Sequence, residues 1–138
     1  MTVEIREQGP TDTEQLKAII DKLEEIEAEF GRPYNETKVI KVVKPYNPAL
    51  ISNFLKIKTK EYMKNYVERK TGEKTENYVA ADGQKVVGFL GYWEPTSTMF
   101  ENGTQLDMIF VDLDIENGKE IEHELFRFYS EMEECYEP

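Results

Sequence analysis

The stretch Leu106–Tyr129, LDMIFVDLDIENGKEIEHELFRFY, constrains the fold more than any other part of the chain. In Gln105–Val111, Leu106, Met108 and Phe110 alternate with Asp107, Ile109 and Val111. Both faces of that segment are largely apolar, which predicts a central strand rather than an edge. Ile121, Leu125, Phe128, Tyr129 and Met132 then recur at helical spacing and predict a helix over Glu120–Met132. A helix that starts just after a strand leaves backbone N–H groups unpaired and pointing outward, which is how a chain builds an anion site. Any fold holding this unit must lay a helix against a sheet.

The remaining chain reads as further strands and helices. Val3–Glu7 alternates like a short strand, and Gly9-Pro10 ends it. Thr11 is placed as a helix N-cap, with Glu14 completing a capping box. Leu16, Ile19, Ile20, Leu23, Ile26 and Phe30 predict one long first helix that stops at Gly31 and Pro33. Lys38–Lys44 is β-branched enough for a strand. Asn47-Pro48 opens a predicted second helix that reaches Gly72, with Lys56, Lys58, Lys60, Lys64, Arg69 and Lys70 on its outer face. Tyr78–Ala81 and Lys85–Trp93 flank Asp82-Gly83, a strong hairpin signal. Gly88 and Gly91 inside the second of these strands imply a bulge or the close approach of a packed element. The expected fold class is therefore α/β in the broad sense (α+β). It has a mixed, mostly antiparallel central sheet, helices on both faces, and a single domain over residues 1–138.

Composition narrows the function classes. The net charge of −11 argues against direct nucleic-acid binding. Charge is also segregated: residues 38–74 carry +7, whereas residues 1–37 carry −6 and residues 101–138 carry −10. Cys135 is the single cysteine and has no internal disulfide partner, so a reducing compartment is expected. No apolar run approaches membrane-spanning length, and Met1–Ile5 lacks a leader pattern. The expectation is a soluble cytoplasmic protein. Asp112, Asp114, Glu116 and Asn117 alternate like the oxygen ligands of a calcium loop. The frame is wrong, with glycine in seventh place and His123 in twelfth, so no metal is expected.

Three segments together resemble GNAT-type N-acetyltransferases. VEIREQGPTDTEQLKAII is similar to the opening strand, turn and helix of that family, and YVAADGQKVVGFLGYW to its central hairpin. After one extra residue, Asn117-Gly118-Lys119-Glu120-Ile121-Glu122 falls on the family's Arg-Gly-Lys-Gly-Ile-Gly loop, with Leu125 in register. The resemblance implies that Val111, Asn117, Gly118, Lys119, Glu120, Ile121 and Glu122 occupy the positions that bind acetyl-CoA. It also implies that Asp107 occupies a catalytic base position, and that the chain stops after the family's third helix, short of its tyrosine acid. The sheet edge left by that truncation would need covering, and a homodimer is one way to do so.

At the ligand-facing positions the match fails. Glycines there let a pyrophosphate approach the backbone without meeting a Cβ. Glu120 and Glu122 add both bulk and negative charge, and one lysine, Lys119, is present to offset them. Two like charges about 4 Å apart repel by roughly 4 kcal/mol at an effective dielectric of 20. A carboxylate at a helix start is itself favourable by about 0.3–1 kcal/mol. The expectation is a catalytically degenerate, GNAT-like protein without a cofactor. It would bind a protein partner, or itself, through the acidic surface of Glu116, Glu120, Glu122, Glu124, Glu131, Glu133 and Glu134. A compact, acidic, cut-down enzyme fold of this kind suits a phage protein, as a virion component or a host-directed inhibitor. The alternative is an acetyl-CoA-dependent N-acyltransferase with Asp107 as base.

Overall fold

A computed structural model describes residues 3–31, 37–44, 58–69, 75–93 and 105–135. In chain order the elements are β1 (Glu4–Glu7), α1 (Thr13–Lys22), β2 (Glu25–Gly31), β3 (Thr37–Val43) and α2 (Lys60–Val67). β4 (Thr75–Asp82), β5 (Lys85–Trp93), β6 (Gln105–Val111) and α3 (Gly118–Cys135) follow. β1, β4, β5 and β6 form an antiparallel sheet in the order β1-β4-β5-β6, and β2 and β3 form a separate two-stranded ribbon. The architecture is α+β with an antiparallel sheet, as the periodicities imply.

Two glycines of β5 show how the layers stack. A Cβ at Gly88 would meet Leu125 Cδ1 at 3.1 Å and Ile121 Cγ2 at 3.4 Å, so this position faces α3. A Cβ at Gly91, of opposite parity, would lie 2.9 Å from Tyr66 Cζ and Oη, so this position faces α2. The sheet therefore lies between α2 and α3, and both helices reach its backbone because glycine leaves room. Ring contacts fill the two interlayers. Phe89 meets Tyr66 edge-on at 6.0 Å and stacks with Phe110 at 5.1 Å on one side, and Tyr92 meets Tyr129 at 5.4 Å on the other. Leu16, Ile20, Val79, Val87, Phe89, Leu90, Val111 and Leu125 are fully buried. The β4–β5 turn is the Asp82-Gly83 hairpin read from sequence, with Gly83 at φ +63°.

The first helix is shorter than its apolar spacing predicts. α1 ends at Lys22, Leu23 is extended (φ −65°, ψ 140°), and Glu25–Gly31 pairs with Thr37–Val43 as β2. Glu25-Ile26-Glu27-Ala28-Glu29-Phe30 also alternates with period two, and the β-branched β3 strand needs a partner, so pairing overrides helical spacing. The cap differs as well: the N-cap is Asp12, not Thr11, and its side chain makes no capping bond. The buried Asp12 carboxylate instead takes Arg6 in a bidentate pair (2.6 and 3.0 Å) and accepts the Gly9 N–H at 2.7 Å. It thereby ties β1 to α1. Arg6 holds that carboxyl below its usual range despite the opposing effect of burial.

β6 lies at an edge of the sheet among the described residues rather than at its centre. Its two-sided burial arises because helices cover both faces of a strand bonded along one side. α2 is not one helix running on from Asn47: Thr59 is extended (φ −76°, ψ 155°) and caps Lys60–Val67, its hydroxyl accepting the Tyr62 N–H at 3.1 Å, so Lys58 precedes the helix instead of lying on its outer face. The predicted start at Asn47-Pro48 and the polar loop Pro95–Gly103 lie outside the described residues.

Candidate functional site

The junction of β6 and α3 is built from the strand end upward. Val111 is fully buried, and the Asp112 N–H donates to the Val87 carbonyl at 2.8 Å, carrying the β5–β6 pairing one residue past the strand. The Asp112 carboxylate then turns inward, where it is 5 % exposed. Lys22, the last residue of α1, donates to Asp112 Oδ1 at 2.7 Å and to Asp114 Oδ2 at 2.8 Å. The Asp114 N–H closes an Asx turn on Asp112 Oδ1 at 3.0 Å. Burial acts most strongly on Asp112 and would raise its pKa. The Lys22 ammonium, the Asp114 N–H and the more distant Lys85 together outweigh burial and leave it lowered. Ile115 drops into the core, and α3 begins at a buried Gly118, with the Asn117 carbonyl accepting the Ile121 N–H at 3.1 Å.

On α3 the side chains divide sharply. Lys119 and Glu120 are exposed, and Ile121 and Leu125 pack on β5. Glu122 is not part of the exposed acidic surface expected for it: it is 2 % exposed, and its Oε1 has no hydrogen-bond partner. The cause is helical register. Glu122 stands four residues after Gly118, three before Leu125 and seven before Tyr129, all on the inner stripe. Burial without a partner pushes its carboxyl up to about 7, and Lys119 opposes that shift. Glu116, Glu120, Glu124 and Glu131 are exposed, with Glu124 ion-paired to Arg127. The side chains of Glu133 and Glu134 lie outside the described residues.

Asp107 sits on the other face of the sheet, away from this junction. β5 and β6 pair Gly91 with Met108 and Tyr92 with Leu106, so Asp107 is the extra residue of a β-bulge. Its carboxylate is 6 % exposed. Lys58 Nζ contacts Oδ1 at 3.1 Å, and the Tyr62 hydroxyl donates to Oδ2 at 2.8 Å. The same ammonium lies 4.7 Å from the Tyr62 ring centroid. Both carboxylate oxygens are thus held by α2 and the residues before it.

Among the described residues, four lysines of the basic segment are ion-paired within the fold. Besides Lys58, Lys44 pairs with Glu24 at 3.5 Å, Lys60 with Glu25 at 3.7 Å, and Lys64 with Asp21. Lys22, Lys58 and Tyr62 are the residues that sequence reasoning missed. Nothing local marks them, because each meets its carboxylate across a long sequence separation.

Toward an anion such as the pyrophosphate that the family likeness implies, the start of α3 turns one exposed cation, Lys119, beside the exposed carboxylate of Glu120. Lys22, which reaches the junction from the end of α1, is already bonded to Asp112 and Asp114, and Glu122 is turned into the core. No protein-family model matches the chain, and no curated protein sequence matches it. The residues themselves carry the functional reading.

Proposed function

We propose that the chain is a non-catalytic, GNAT-like binding protein whose partner is a basic macromolecular surface. One observation carries this reading. Two groups that a transferase of this type would turn toward substrate and cofactor, Asp107 and Glu122, are committed to internal bonds or buried. Lys22 closes the β6–α3 loop on Asp112 and Asp114, Glu122 fills the start of α3, and Lys58 and Tyr62 hold both oxygens of Asp107. The strand–loop–helix frame supports the family likeness, and the order β1-β4-β5-β6 with helices on both faces agrees with it. Lys44, Lys58, Lys60 and Lys64 meet Glu24, Asp107, Glu25 and Asp21, so exposed Glu27, Glu116, Glu120 and Glu131 remain as excess charge for a basic partner.

Calorimetric titration of the full chain with acetyl-CoA and with CoA tests this. The expected result is no measurable heat of binding. A dissociation constant in the micromolar range or tighter would sink the reading. It would favour the acyltransferase alternative, which has the bulge at Asp107 in its support, since bulges commonly re-aim side chains beside active sites.

A further inference from the structure

We propose that β2 is a docking edge that accepts an extended basic segment of a partner protein as a third strand of the β2–β3 ribbon. The inference rests on the binding reading above and assigns the surface and the mode of contact.

The ladder shows which backbone groups point outward. The Lys44 N–H donates to the Glu24 carbonyl at 2.7 Å, so Glu24 and Lys44 form a hydrogen-bonded pair, and every second pair along the ribbon does the same. The Val43 N–H accordingly turns away from β2 and donates to the Lys58 carbonyl at 2.8 Å. Glu25 stands opposite Val43, and Glu27 and Glu29 share its phase. These three glutamates therefore direct their N–H and C=O groups away from β3. Among the described residues no strand is bonded to that edge.

The edge is also accessible. Glu24, Glu25 and Glu27 are exposed, and Ile26 is 37 % exposed. Soluble proteins usually protect such an edge with proline, a bulge or lysine. β2 contains no proline, and its register with β3 runs without a shift from Glu25 to Gly31. Charge is the protection that remains, and it is selective. A second copy of β2 brought up across a two-fold axis would set glutamate against glutamate, whereas a basic strand would meet opposite charge. The ribbon already holds one such pair: Lys41 of β3 stands directly opposite Glu27 of β2. A basic third strand continues the alternation. Glu25 is already 3.7 Å from Lys60, so Glu27 and the outward backbone groups carry most of the recognition.

The test titrates the full chain against a fluorescein-labelled heptapeptide of alternating lysine and valine, read by anisotropy, with amide hydrogen exchange read by NMR. Four results are expected. Binding weakens as salt rises, and a glutamate–valine heptapeptide does not bind. The Glu25, Glu27 and Glu29 amides slow by about tenfold or more on binding, whereas the inward Ile26, Ala28 and Phe30 amides do not change. Glu27→Pro removes an outward donor without a ladder bond and weakens binding about tenfold or more. If that variant loses the ribbon, a peptide N-methylated at alternate residues is the second probe, and it must fail to bind the unaltered chain. Undiminished binding to Glu27→Pro with its ribbon intact, or protection without alternation, overturns strand addition and leaves the basic-partner reading standing. If neither this peptide nor polylysine binds at low salt, both readings fall. The same alternating protection in a dimer of this chain would assign the edge to a second copy and overturn the proposal.

Discussion

Replacing Glu122 by glutamine is expected to stabilise the fold, and only above mildly acidic pH. The Glu122 side chain is 2 % exposed, its Oε1 lacks a partner, and burial raises its carboxyl from 4.5 to about 7. In the unfolded chain the carboxyl ionises near its ordinary value, whereas in the fold it holds its proton until about 7. Below the unfolded value both states are protonated and ionisation costs nothing. Between the two values the unfolded state gains by ionising, so native stability falls as pH rises. Above about 7 the cost is complete. A gap of about 2.5 pH units corresponds to about 3 kcal/mol, a large share of the roughly 5–15 kcal/mol that holds a domain together. Glutamine keeps the shape of the protonated acid and cannot ionise. Urea denaturation of both proteins from about pH 4.5 to about pH 8.5 should show near-equal stability at the acid end. At the alkaline end the variant should lead by up to about 3 kcal/mol. Parallel curves across that range would refute the assignment of Glu122 as a buried carboxyl without a partner.

Three further substitutions test the packing around the site. Lys22→Met leaves the Asp112 carboxylate buried with a backbone N–H as its main remaining donor, and should cost about 1–3 kcal/mol in urea denaturation. Asp112 is held below its ordinary 3.8, so its contribution is complete above that value and is lost as pH falls through the lowered one. In Lys22→Met the acid-unfolding midpoint should therefore move to higher pH. Gly91→Ala drives a methyl group into the ring of buried Tyr66 and should cost about 1–3 kcal/mol, with Tyr66→Leu in the same chain recovering part of the loss in a double-mutant cycle. Arg69 follows the end of α2 at φ 59°, where a Cβ is strained, and Arg69→Gly should raise the stability by about 1 kcal/mol, measured from the urea midpoint.

The sheet was legible where pattern and turn chemistry agreed. Asp82-Gly83 fixed the β4–β5 hairpin, and the alternation of Gln105–Val111 followed by Ile121 and Leu125 fixed the strand–helix unit. Where two periods overlapped, the longer-range partner decided. Ile26 and Phe30 suit a helix as well as a strand, and β3 drew them into a ribbon. The site was legible in its frame and not in its bonding. The glutamates occupy positions that the family likeness gives to glycine, which is the basis for expecting a failed phosphate cradle. Their fates differ through helical register alone, with Glu120 outside and Glu122 inside. Lys22, Lys58 and Tyr62 reach their carboxylates only once α1 and α2 are docked, so no local pattern could have named them. Nor does alternation reveal a bulge. The β5–β6 register alone sets Asp107 apart as the extra residue of a bulge.

On the proposed reading, carboxylates at the start of α3 stand where an acyl-CoA pyrophosphate would have to bind. The deciding measurement is calorimetric titration of CoA into the triple variant Asn117→Arg, Glu120→Gly, Glu122→Gly beside the unaltered chain. No binding is expected for the unaltered chain and measurable binding for the variant, lost again on adding salt as for a phosphate contact. Tight binding by the unaltered chain, or a folded variant as silent as its parent, would contradict it.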